Sequence, residues 1–154
     1  LRLRTAEDLA AGRALSVDLT NAAWRSTMGY PDMPLWTPWE AGQVLARLSA
    51  AHDLVFFDNW ATDVAGHGGN LAESVRVLEE IDAFLGGLLA AVDLDATLMA
   101  IISDHGNIED LRAKGHTENL TPTLLIGAGH QRAAEAISDL THVMPMVLDG
   151  MRDA

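Results

Sequence analysis

Three short stretches of this sequence bring carboxylates and imidazoles together: Asp63-Val64-Ala65-Gly66-His67, Ser103-Asp104-His105-Gly106-Asn107 and Gly115-His116-Thr117-Glu118-Asn119. A carboxylate offers an anionic oxygen and a neutral imidazole offers a nitrogen lone pair. The mixture suits a borderline divalent cation such as zinc or manganese. Taken singly each stretch is a weak signal, because a chain rich in aspartate with 6 histidines yields such pairs by chance. Together they are more informative, since all three lie beside apolar runs that read as strands. The candidate ligands Asp63, His67, Asp104, His105 and His116 exceed what one open metal site needs. Two ions sharing one rim is the reading they support, an arrangement that clamps the attacking and leaving oxygens of a phosphoryl displacement.

The elements that must position these residues are legible in part. Thr5 to Gly12 reads as a short helix, and Asn21 to Trp39, with Pro31, Pro34 and Pro38 among its tryptophans, as an irregular packed segment. Thr37, Pro38 and Glu40 supply the N-cap, first position and capping-box acid of a helix whose apolar positions are Val44, Leu45, Leu48 and Ala51. Leu54-Val55-Phe56-Phe57 reads as a buried strand, followed by a Gly-rich loop carrying Asp63 and His67. Asn70 caps a helix running to about Val92, with Leu71, Val75, Leu78, Ile81, Leu85, Leu88 and Leu89 as its apolar face. Thr97 to Ile102 and Thr123 to Ile126 read as two further strands, and Arg132 to Met151 as helix in two pieces around Pro145. Strand, long helix, strand is a βαβ unit, which predicts a parallel first pair. Gly106 to Thr121 shows no long helix, so the third strand can run antiparallel at an edge. A long connection of this kind is typical of a functional site.

The fold class expected is therefore α/β, a mostly parallel sheet flanked by helices. The chain has 154 residues with 49% hydrophobic and 21% charged, enough apolar material for a core and suited to one domain. Its net charge is −12, and Lys114 is its lone lysine, so duplex nucleic acid is a poor partner. No apolar run reaches the length of a membrane span and no signal-peptide pattern is present. The absence of cysteine excludes disulfides and thiolate sites and suits a reducing cytoplasm. The chain opens on Leu1, which leads to the expectation that it is the C-terminal portion of a longer domain.

Asp-x-x-Gly-His, then Ser-Asp-His-Gly-Asn, then Gly-His-Thr followed by a Pro-led apolar strand, resembles the C-terminal half of the alkaline phosphatase superfamily's metalloenzyme domain. The branch it is most similar to holds cofactor-independent phosphoglycerate mutase and phosphopentomutase. The resemblance runs from about Phe56 to Gly127, with Thr141 to Leu148 matching the closing helix. It implies two divalent ions, zinc or manganese. Asp63, His67 and His116 would bind one, and Asp104 and His105 part of the other. It implies a small phosphorylated substrate and phosphoryl transfer, as a phosphohydrolase or phosphomutase. The family's Ser or Thr nucleophile and its strand-end aspartate have no match here, and Ser103 and Thr62 do not occupy the nucleophile's position. The isolated chain is thus expected to be incomplete and inactive, lacking an N-terminal portion of the same domain. His67-Gly68-Gly69 departs from the mutases' Thr-Gly. The alternatives are a non-catalytic metal-binding module and a metal-dependent hydrolase of another ester or peptide class. Asn107, Thr117 and Asn119 could orient ligands. His52, His130 and His142 show no partner pattern, and Asp58 is an ordinary acid near the site.

Overall fold

The computed structural model describes residues 3–152. The chain divides into two compact units. One comprises the residues up to Ala65 together with Asn70–Val92, and the other comprises Gly66–Gly69 together with the residues from Asp93 onward.

The first unit is helical. Helix α1 (Ala6–Ala10) and helix α3 (Pro38–Ser49) each begin at a threonine that completes a capping box, Thr5 with Asp8 and Thr37 with Glu40. Each box satisfies two main-chain donors that the helix start would otherwise leave orphaned. Between them lies α2 (Ala22–Ser26), one short helix in the otherwise irregular stretch expected there. Helix α5 (Leu71–Leu89) starts at Asn70, whose side chain accepts the Glu73 amide. Its expected apolar face is corrected. The buried stripe is Ser74, Val77, Phe84, Gly87 and Leu88, whereas Leu71, Val75 and Leu78 are exposed. Both stripes have helical spacing, so periodicity could not choose between them. The choice is made by glycine. A methyl at Gly42 would collide with the main chain of Phe84 and Leu88, and one at Gly87 with that of Trp39. Small residues on both helices therefore let α3 approach α5 on that side, and the close approach decides which stripe is covered.

Leu54–Phe57 does not form the expected strand. The segment lacks regular structure, and Phe56 is 87% exposed. The Phe57 ring lies 5.4 Å from that of Phe84. A strand needs neighbours for its main-chain groups, and the two strands among the described residues pair with each other.

The second unit holds those strands, β1 (Leu98–Ile102) and β2 (Thr123–Gly127). They are antiparallel, with Ala100 opposite Leu125. The mostly parallel sheet expected from the sequence is accordingly not formed by the described residues, whereas the antiparallel third run is. Gly127, at φ +91°, sits where a side chain would strike the Thr97 carbonyl, and it ends the ladder. Helix α6 (His130–Ala136) and helix α7 (Val143–Arg152) follow, with Pro145 inside the first turn of α7, where its missing N–H costs nothing. No helix among the described residues is long and apolar enough to cross a membrane.

Candidate metal centre

The Asp63–His67 stretch is not a loop. Helix α4 (Ala61–Gly68) carries Asp63 in its first turn and His67 in its last. Residues four apart share a helix face, so both side chains project from one side of α4. The Asn59 side chain accepts the Ala61 amide at the helix start, and Gly69, at φ +63°, ends it. Glycines at positions 66 and 68 hid the helix from sequence reading. The reason for one of them is visible: a methyl at Gly66 would collide with the Asn107 side chain and meet the Ile108 amide at 3.0 Å. The end of α4 that bears His67 thus rests directly against the loop that follows β1.

Within the second unit, His67, His105 and His116 come together from separate stretches. The Nε2 atoms of His67 and His116 are 3.3 Å apart. The ring of His105 is stacked on that of His116, with centroids 3.5 Å apart. Asp104, largely exposed, faces His105 with its Oδ2 3.5 Å from Nε2. His105 Nδ1 is buried and has no hydrogen-bond partner. The other three histidines engage local groups: His52 the Leu48 carbonyl, His130 the Gly127 carbonyl, and His142 the Ser138 hydroxyl. Asp58 is exposed in the irregular segment before α4.

The donor set fits a divalent cation. Two nitrogens held at ordinary zinc–nitrogen distances on one tetrahedral ion lie about 3.3 Å apart, which is the His67–His116 separation. Oxygen and nitrogen at the Asp104–His105 spacing suit a second ion. His105 Nδ1, the ring nitrogen that does not face Asp104, is a buried polar atom without a partner.

The supporting hydrogen bonds explain why these loops hold their shape. The Ser103 hydroxyl donates to the His105 carbonyl at 2.9 Å, and Thr121 Oγ1 donates to the Ser103 carbonyl at 3.1 Å. Ser103 is thereby a structural donor at the end of β1. Glu109, which sequence reasoning missed, accepts the Asn107 amide at 2.6 Å, the Asn119 side-chain amide at 2.9 Å and the Thr117 hydroxyl. The Thr117 hydroxyl is the main cause, and Asn119 the next, of a Glu109 carboxyl lowered to about 2. In the sequence, its signal is one acid of the Glu109-Asp110 pair four residues beyond His105, indistinguishable from a surface residue. Asp110 is likewise lowered to about 2, chiefly by the Arg112 guanidinium.

The family model described as the metalloenzyme superfamily matches residues 40–152, which include every candidate ligand. The chain belongs to the metalloenzyme superfamily. Relatives of this chain include the proteins named 2,3-bisphosphoglycerate-independent phosphoglycerate mutase of Rhodopseudomonas palustris and of Paracoccus denitrificans. The first is 29% identical over 69% of this chain and 22% of its own length, the second 31% identical over 74% and 24%. The protein named 2,3-bisphosphoglycerate-independent phosphoglycerate mutase 2 of Methanothermobacter thermautotrophicus is 32% identical over 81% of this chain and 30% of its own length. The resemblance to the phosphoglycerate mutase branch is thus borne out, and the chain spans less than a third of the length of these relatives. No solved structure matches it.

Proposed function

We propose that this chain carries most of the metal ligands of a divalent-metal-dependent phosphoryl-transfer enzyme, a phosphomutase or phosphohydrolase acting on a small phosphorylated substrate. The observation that carries the reading is the 3.3 Å separation of the His67 and His116 Nε2 atoms, the spacing of two ligands on one ion. Asp63, His67 and His116 hold the first ion. The shared face of α4 supports the pairing of Asp63 with His67. Asp104 and His105 hold part of the second. Zinc or manganese suits this mixture of carboxylate and imidazole.

When bound, two such ions supply positive charge to a phosphoryl group and its entering and leaving oxygens. His67 and His116 present nitrogens from a helix end and a loop. Ser103 and Thr121 fix the turn that presents Asp104 and His105. With a net charge of −12, the protein would otherwise repel an anionic substrate. The mutase relatives support a phosphorylated small molecule as substrate and a place for this chain within a longer domain. In that domain Leu54–Phe57, whose first three residues are exposed, takes its place in a mostly parallel sheet. The nucleophile comes from residues outside this sequence, so the chain alone turns over no substrate. The lack of cysteine suits a cytoplasmic protein.

The test is metal uptake. The chain, stripped with chelator and titrated with Mn²⁺ or Zn²⁺, is expected to bind an ion at Asp63, His67 and His116, and His67→Ala to lose it. A wild-type chain that takes up none would overturn the reading. Phosphatase turnover by the isolated chain would overturn the placement of the nucleophile.

A further inference from the structure

We infer that Glu109 is a positioning residue that holds the loops bearing His105 and His116 in register by bridging them through hydrogen bonds. The inference rests on the reading of those histidines as metal ligands and assigns a role to a residue outside the ligand set.

Glu109 lies in the connection between the two loops, and its two oxygens face opposite ways. One accepts the Asn107 amide, two residues beyond His105. The other accepts the Thr117 hydroxyl, on the residue next to His116, and the Asn119 side-chain amide. A second tie runs parallel to this one. The Thr117 amide donates to the Gly106 carbonyl at 2.9 Å, closing an isolated antiparallel bridge beside both histidines. Gly106 makes room for the arrangement, because a methyl there would collide with both the Thr117 hydroxyl and the Glu109 carboxylate. An ionised carboxylate is acceptor-only and can satisfy several donors at once. Its charge is well matched to three N–H and O–H groups converging from either side. Both oxygens accept from these donors, and Glu109 acts on an ion through His105 and His116. The carboxylate is exposed, so its bonds add little to global stability and their effect falls on loop geometry.

Cobalt(II) titration of the 154-residue chain, followed by visible absorption, tests this, together with amide hydrogen exchange at Asn107 in the metal-free protein. Glu109→Ala is expected to weaken Co²⁺ affinity by roughly ten-fold or more, as loss of a ligand's supporting partner does. It should also shift the absorption bands and speed exchange at Asn107 while leaving the far-ultraviolet circular dichroism unchanged. Glu109→Gln, which keeps one carbonyl oxygen for Thr117 and Asn119, should fall between. It also serves as the deciding variant if the alanine form does not fold. Should wild type bind Co²⁺ and a folded Glu109 variant match it in affinity and spectrum, the inference is overturned. Should wild type bind no Co²⁺, the metal reading fails instead, and the Asn107 exchange alone still decides whether Glu109 bridges the loops.

Discussion

The ring of His116 lies flat against that of His105, with centroids 3.5 Å apart and planes inclined by 13°. The same ring turns its Nε2 toward His67. His116 is therefore the side chain through which two pairs of candidate ligands are joined, His67 with His116 and Asp104 with His105. A parallel stack keeps the nitrogens at the ring edges, out of the stacked faces.

Because His116 belongs to one pair and touches a member of the other, its loss should be felt at both. His116→Ala is expected to lower Mn²⁺ affinity by more than about 100-fold, beyond the usual cost of an outer partner. Asp104→Ala should weaken one ion only. Isothermal titration of each variant checks this, and equal effects of the two changes would contradict the pairing.

Metal should also stabilise the fold, because an ion that binds only the native chain shifts the unfolding equilibrium. At about 100 times its dissociation constant, Mn²⁺ should add about 2.7 kcal/mol. For a chain of this size that is roughly 5–10 °C in the midpoint of thermal unfolding. Scanning calorimetry with Mn²⁺ and then with excess chelator measures the gain and its reversal.

Gly66→Ala places a methyl against the Asn107 side chain. Helix α4 must shift away from that loop, carrying His67 from His116. The expected outcome is loss of one ion, with a folded spectrum retained. The comparison is Gly68→Ala, where a methyl would meet nothing within 4 Å and metal uptake should persist.

Gly42→Ala acts on stability. Its methyl would strike main-chain atoms of α5, which cannot rotate away. Overpacking of this kind costs about 1–3 kcal/mol. Urea unfolding should show a lower midpoint.

Acid should loosen the loop between β1 and β2 over a defined window. Glu109 and Asp110 are both lowered to about 2, from 4.5 and 3.8, by the Thr117 hydroxyl and the Arg112 guanidinium respectively. Between those values the unfolded loop binds more protons than the folded one, so stability falls as pH falls. The contribution is complete above about pH 4.5 and is lost through about pH 2. Chemical shifts of the Asn107 and Thr117 amides, followed from pH 5 to pH 2 in the metal-free protein, should report it. Amides insensitive to pH throughout that range would refute the Glu109 bridge.

Local rules were legible wherever a few adjacent residues decide the outcome. The capping box at Thr37 and the N-cap at Asn70 stand where the side chains alone place them, because each satisfies donors within three residues. Leu54–Phe57 shows the converse. Apolar, β-branched and aromatic residues allow a strand but do not pair it. Asp63 and His67 show a third case, in which glycines that signal a loop instead serve a helix needing close contact.

The sequence by itself determined the candidate ligand types, their order along the chain and the family, because motif chemistry survives without knowledge of where each stretch lies. Only the tertiary structure decided that His67, His105 and His116 meet, that α5 buries Ser74, Val77 and Phe84 rather than Leu71, Val75 and Leu78, and that Glu109 spans two loops. Each of these depends on contacts between residues far apart in sequence. Such contacts are chosen by steric fit and by the pairing of buried donors and acceptors, which no local pattern of residue types encodes.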